Sequence, residues 1–84
     1  MRKYTVVWLK SVHREVGEIW LAASDRNTVT AATDEIDSEL AVDAEEKGKP
    51  LSEGLRVYDA PPLRAVYSVD PKNRIVEVCR IRLL

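Results

Sequence analysis

Apolar and β-branched residues crowd together in Tyr4-Thr5-Val6-Val7-Trp8-Leu9, a run that suits a pleated strand, so the chain is expected to open with one. The pattern then changes period. Val12, Val16, Ile19, Trp20 and Ala23 recur at i, i+4, i+7, i+8 and i+11, which places them on one face of an amphipathic helix with Ser11 as its N-cap. On this reading Trp8 and Trp20 are packing residues at strand and helix core positions. Gly17 inside the helix costs on the order of 1 kcal/mol relative to alanine, so the helix must rely on packing. The side-chain oxygens of Ser24 and Asp25 can end the first helix and cap a second, because they accept from its free N–H groups.

The second helix is expected from Arg26 to Ala44, with Val29, Ala32, Ile36 and Leu40 as its buried stripe and Thr33 bordering it. Asp34, Glu35, Asp37, Glu39 and Asp43 take the opposite surface. Acids near a helix C-terminus oppose its dipole, and Lys47 and Lys49 just beyond partly compensate. Gly48 and Pro50 stop the helix, and residues 45–54 read as a polar loop. Alternating segments at 55–58, 63–69 and 74–84 then predict three antiparallel strands. The order β-α-α-β-β-β implies an α+β fold, a helical hairpin packed on one face of a twisted antiparallel sheet, in a single domain spanning 1–84.

Arginine recurs at strand spacing in the last third of the chain: Arg56, Arg64, Arg74, Arg80 and Arg82. A period of two places Arg64 on one face with Val66 and Ser68, and Arg80 and Arg82 on one face with Val76 and Val78. If the final hairpin loop spans Asp70 to Arg74, Val66 faces Val78 and Arg64 faces Arg80. A loop one residue shorter shifts the register and separates these arginines. Clustered guanidinium groups can read a phosphate or a carboxylate. The plainer alternative is a set of sheet-surface arginines paired with Glu77, Asp59 or acids of the helices.

The charge distribution sharpens this picture more than the formal net charge of −1 does. Residues 15–46 carry ten acids against one base, whereas residues 54–84 carry six bases against three acids. Such asymmetry hints at one face for an anion or an acidic partner, and a near-neutral total argues against a strong nucleic-acid binder. No apolar run approaches the ~20 residues needed to cross a bilayer, so no membrane association is expected, and the opening Met1–Trp8 is not expected to act as a secretory signal. With a single cysteine there is no internal disulfide and no Cys-rich zinc site, which points to a cytoplasmic protein.

Other chemistry is sparse. His13 is the only histidine and has no second ligand at metal-binding spacing; Cys79 has no catalytic partner nearby in sequence and reads as small apolar filler. The acid-rich stretch 34–46 lacks a calcium-loop pattern, and the three glycines build no phosphate loop. No metal or cofactor is expected.

Several segments, taken in order, carry a resemblance. They are Tyr4-Thr5-Val6-Val7-Trp8, Glu18-Ile19-Trp20, Gly48-Lys49-Pro50-Leu51, Leu63-Arg64-Ala65-Val66-Tyr67-Ser68-Val69 and Val76-Glu77-Val78-Cys79-Arg80-Ile81-Arg82. Together they resemble the RelE/ParE superfamily of type II toxin–antitoxin toxins, also called plasmid stabilisation proteins. The resemblance implies a growth-inhibiting toxin neutralised by a cognate antitoxin, with DNA gyrase or the ribosome and its messenger RNA as cellular targets. The antitoxin surface is expected on the sheet and the helical-hairpin groove, with Arg56, Arg64, Arg80 and Arg82 pairing acidic residues. One alternative is a ribosome-dependent mRNA endoribonuclease using Arg64 for the scissile phosphate, with Arg56 and Tyr58. The second basic position of the preceding strand falls on Tyr58, the basic position after the last strand falls near Leu84, and the terminal Tyr or His has no counterpart. The other alternative is a non-toxic degenerate member that serves only as an interaction module. A homodimer is left open.

Overall fold

Thr5–Trp8 form strand β1, and the chain then turns directly into helix α1 (Lys10–Ala22) and helix α2 (Arg26–Leu40). A 3-10 turn (Ala44–Glu46) leads to the two-residue strand β2 (Lys49–Pro50), followed by β3 (Leu55–Ala60), β4 (Leu63–Asp70) and β5 (Ile75–Leu83). These elements come from a computed structural model that describes the whole chain, residues 1–84. The five strands form one sheet in the order β1-β5-β4-β3-β2. The expected hairpins β3–β4 and β4–β5 are antiparallel, but β1 pairs with β5 in parallel, so the sheet is mixed. A parallel pair needs a long crossover, and here everything between β1 and β5 supplies it.

Both helices lie on one face of the sheet. Val29, Ala32, Ile36 and Leu40 of α2 and Val12 of α1 are buried against Ala60, Leu63, Ala65, Tyr67, Val76, Val78 and Ile81 of the strands. The predicted α2 stripe is therefore the core stripe. Val16, Ile19 and Ala23 of α1 are partly buried against the same core. No helix is long and apolar enough to cross a membrane.

Three local expectations change. First, Leu9 rather than Ser11 is the N-cap of α1, with no side-chain bond; its carbonyl accepts from Val12 N–H and His13 N–H at 2.9 and 3.0 Å. Packing of Leu9 on the core commits the chain to turn there, ahead of the better capping residue. Asp25, by contrast, caps α2 as expected, accepting from Thr28 N–H at 3.3 Å.

Second, α2 ends at Leu40 rather than Ala44. Residues 41–43 leave the helix to hold the N-terminal arm: Ala41 O accepts from Tyr4 N–H at 2.8 Å, and Arg2 O from Asp43 N–H at 2.7 Å. Arg2 N–H in turn donates to the Asp43 carboxylate at 2.6 Å, and Asp43 takes a left-handed φ of 49°. These bonds replace the last helical turn, and Glu45 adds to them by accepting from Arg2 Nη1 and from the Tyr4 hydroxyl.

Third, Trp20 is not in the core. It is 37% exposed at the edge of the helical hairpin, its indole N–H donating to Thr30 Oγ1 at 3.2 Å, with the Arg26 guanidinium 4.5 Å from the ring centroid. Arg26 also donates to the Trp20 and Leu21 carbonyls at the end of α1, where Trp20 O accepts from Ala23 N–H as well. Trp8 is half-buried and donates to Asp37 Oδ1 at 2.9 Å.

Candidate functional site

Position relative to the two faces of the sheet decides what the arginines can do together. On β4, Leu63, Ala65 and Tyr67 are buried beneath the helices, so Arg64, Val66 and Ser68 lie on the opposite, outer face. On β5, Val76 and Val78 are buried and so is Ile81, a spacing of two followed by three. A β-bulge absorbs the extra residue: Tyr67 pairs with Val78, but Val66 pairs with Arg80, leaving Cys79 unmatched.

The bulge overturns part of the expected register. Asp70 pairs with Ile75, which is the shorter of the two loops considered. An unbroken ladder would then put Arg80 and Arg82 on the helix side. With the bulge they emerge on the outer face, Arg82 opposite Arg64 and Arg80 opposite Val66. Arg64 thus faces Arg82 rather than Arg80, Val66 faces Arg80 rather than Val78, and Val76 and Val78 do not share the face of Arg80 and Arg82. Cys79 is a half-buried residue at this irregularity rather than filler in a regular strand; burial pushes its thiol pKa up, and its Sγ lies 3.4 Å from Glu77 O.

Arg64 already has a partner. Its Nε and Nη2 donate to the two carboxylate oxygens of Asp59 at 2.6 and 2.9 Å, a bidentate bond between residues directly opposite on β3 and β4. This bond holds the Asp59 carboxyl below and the Arg64 guanidinium above their ordinary pKa values. It is one of the plain pairings considered from the sequence. Arg80 and Arg82 take part in none of the three ion pairs of the chain. Around them the outer face carries Leu55, Val57 and Val66, all half-buried although no helix covers them, with the more exposed Val7 and Ile75 further along the sheet.

Arg56 and Tyr58 are elsewhere. Arg56 pairs with Tyr67 and Tyr58 with Ala65, so both project from the helix side of the sheet. Arg56 Nε donates to Lys47 O at 3.0 Å and its Nη2 to Gly48 O at 3.4 Å, which pins the loop before β2. The Tyr67 hydroxyl reaches the same loop, donating to Ala44 O and Lys47 O at 3.1 and 2.7 Å. The Tyr58 hydroxyl donates to Glu35 of α2 at 3.0 Å, and burial, then this bond and the nearby acids, push its pKa up to about 12. Lys47 bonds Glu39 at 3.0 Å, the compensation expected at the end of α2.

The structure therefore brings Arg64, Arg80 and Arg82 together and leaves Arg56 and Tyr58 across the sheet from them. Sequence reasoning missed the clamp made by Glu35 and by the Lys47 and Gly48 carbonyls, since no local pattern links partners 8 to 23 residues apart. It also missed the apolar outer face, which the alternation of Leu55, Val57 and Val66 could have revealed. No three His, Cys, Asp or Glu side chains lie close enough together to hold a metal.

Solved structures give the fold a context. A chain of the toxin–antitoxin complex RelBE2 from Mycobacterium tuberculosis superposes with a TM-score of 0.82 at 20% identity, covering 100% of this chain and 94% of that one. A chain of the chromosomal ParDE TA system from P. aeruginosa gives a TM-score of 0.70 at 15% identity, covering 98% and 97%. A chain of the archaeal RelE–RelB complex from Pyrococcus horikoshii OT3 gives 0.67 at 16% identity, covering 96% and 94%. No protein-family model matches the sequence, and no curated protein sequence does. Over its whole length, the chain has the RelE/ParE-like fold found in these toxin–antitoxin assemblies.

Proposed function

We propose that this chain is the toxin component of a type II toxin–antitoxin pair, a growth inhibitor held in check by a cognate antitoxin that docks on the outer face of the sheet. The fold supports the class, and the outer face carries the argument for the site. Arg80 and Arg82 stand unpaired there beside Arg64, next to Leu55, Val57 and Val66. A mixed basic and apolar surface suits a protein segment of acidic and apolar residues, which gains from burial and from charge pairing together. A bare phosphate backbone would use the charges and leave the valines wet.

The endoribonuclease alternative asks Arg56, Tyr58 and Arg64 to converge on one phosphate. General acid–base cleavage requires donors and acceptors within hydrogen-bond reach of the reacting oxygens. The body of the sheet separates Arg64 from the other two, and the Tyr58 proton is held by Glu35. A protein-binding toxin is the better reading, with its target in the cytoplasm.

The test is inducible expression. The chain alone is expected to arrest growth, and co-expression of a small acidic protein encoded next to it is expected to restore growth. Replacing Arg80 and Arg82 together by Gln should weaken capture of that protein without unfolding the chain. Normal growth on induction would overturn the toxin assignment. Arrest accompanied by messenger RNA cleavage that Arg64→Ala abolishes would favour the nuclease instead.

A further inference from the structure

We propose that Asp59 is a built-in competitor for the anion seat formed by Arg64 and Arg82, so that an acidic partner segment gains the seat only by displacing the Asp59 carboxylate. This deepens the reading of the outer face as a partner site and rests on it. Three observations carry it. Directly opposite residues of an antiparallel pair have Cβ atoms roughly 5 Å apart, so the Arg64 and Arg82 side chains leave the outer face side by side, with the Arg64 guanidinium turned toward Asp59 on β3. Like charges so placed repel, and the only carboxylate set against them in the ladder is Asp59. Asp59 takes the Nε and Nη2 edge of the Arg64 guanidinium, one of the two edges at which it can bind a carboxylate bidentately.

The competitor is also weakly held, as a displaceable one has to be. The Arg64 and Asp59 side chains are 47% and 43% exposed, so water and salt reach both groups and reduce the net worth even of a bidentate bond. The seat is therefore occupied by default yet open to a ligand that adds contacts Asp59 cannot make, such as burial of Val57 and Val66. A carboxylate is the better-matched class of ligand, because the seat already holds one and apolar residues flank it. The device would discriminate against weak anions and admit a segment that brings apolar side chains as well.

The test uses the purified chain alone, at 0.15 M salt, with hexaglutamate as the probe and hexauridylate in a parallel arm. Binding is read by NMR titration of the arginine Nε–H signals. Asp59→Asn is expected to tighten hexaglutamate binding about three- to ten-fold, from loss of the competing bond and of one repelling charge. The largest shifts are expected at Arg64 and Arg82. Asp70→Asn changes net charge equally but sits at the far end of β4, roughly 20 Å away at strand rise and beyond the ~8 Å screening length, so it should leave affinity unchanged.

The gain should vanish in Asp59→Asn/Arg64→Gln and reappear in Asp59→Ala, which guards against an effect peculiar to one side chain. Equal gains from Asp59→Asn and Asp70→Asn would overturn the proposal, and so would a gain that survives Arg64→Gln. A larger gain for hexauridylate than for hexaglutamate would overturn the carboxylate assignment. Because no antitoxin and no cell are involved, failure here leaves antitoxin capture standing, and failure of the growth experiment leaves this result unaffected.

Discussion

Replacing Gly48 by Ala is the sharpest test of how this small sheet is held together. Gly48 has φ +61°, and a Cβ built on it would lie 2.9 Å from the Val57 carbonyl carbon, closer still to its oxygen, and 3.2 Å from Tyr67 Oη. Two penalties combine. The left-handed conformation costs an alanine about 1–2 kcal/mol. The overlap is with strand backbone, which no rotamer relieves, so residues 47–50 must move away from β3. That movement loosens the Lys49–Val57 and Pro50–Arg56 pairs and the bonds from Tyr67 and Arg56 to Lys47 O. At about 0.5–1.5 kcal/mol net for each bond lost, the total reaches about 3–5 kcal/mol. Gly54→Ala is the internal control: Gly54 has φ +79° but nothing within 4 Å of its built Cβ, so only the conformational penalty applies. For a domain of this size about 1 kcal/mol lowers Tm by roughly 4–8 °C. Gly48→Ala is thus expected to lower Tm by at least about 12 °C, and Gly54→Ala by about 5–15 °C, read by circular dichroism and urea unfolding. If the two variants lie within about 0.5 kcal/mol of each other, the close approach of Gly48 to β3 is not what holds β2 in place.

Two further outcomes follow from the same region. Tyr67→Phe removes a hydroxyl that two carbonyls share while leaving the ring in place, and should cost about 1–2 kcal/mol, seen as a lower urea midpoint with an unchanged m-value; a midpoint equal to that of the parent chain would refute the clamp. All three tyrosines have raised pKa values, Tyr4 chiefly through its bond to Glu45, Tyr67 through burial and Tyr58, at about 12, through burial first. Tyrosinate absorbance should therefore lag the ordinary midpoint of about 10 while the chain stays folded. A phenol whose folded pKa is raised favours folding fully below its unfolded value, and that contribution is lost as pH rises. Stability should accordingly decline between about pH 10 and 12; Tyr58→Phe should flatten part of that decline, and an unchanged pH profile would exclude Tyr58 as its source.

The core was legible in the sequence because it obeys simple periods. Val29, Ala32, Ile36 and Leu40 had to face inward on any helix drawn through them, and all four do. The alternation of Leu63, Ala65 and Tyr67 against Arg64, Val66 and Ser68 was equally plain. What could not be read depends on partners distant in sequence. Ala41–Asp43 leave α2 because the N-terminal arm competes for their backbone groups. The parallel direction of β1 depends on where β5 presents its free edge. Arg56 and Tyr58 matched a site pattern by sequence position, yet parity relative to Tyr67 and Ala65 puts them on the helix side of the sheet, Arg56 against the loop before β2 and Tyr58 against α2.

The bulge at Cys79 links packing to the candidate site. In a strand of unbroken period two, Val76 and Val78 would share the helix-facing side with Arg80 and Arg82, and Ile81 would be exposed. That arrangement exposes an isoleucine and buries two guanidiniums without partners, a cost of several kcal/mol for each charge even after relaxation. One unmatched residue reverses both defects: Ile81 is 2% exposed, and both arginines reach the outer face. The spacing Val76, Val78, Ile81 records the same change of parity, since three apolar residues at intervals of two and three can share one face only across a bulge. The arginine cluster is therefore a consequence of core packing in β5. Because the core fixes where the guanidiniums emerge, the free variable at this site is what sits against them, and in the isolated chain that is Asp59 at Arg64 and no carboxylate at Arg80 or Arg82.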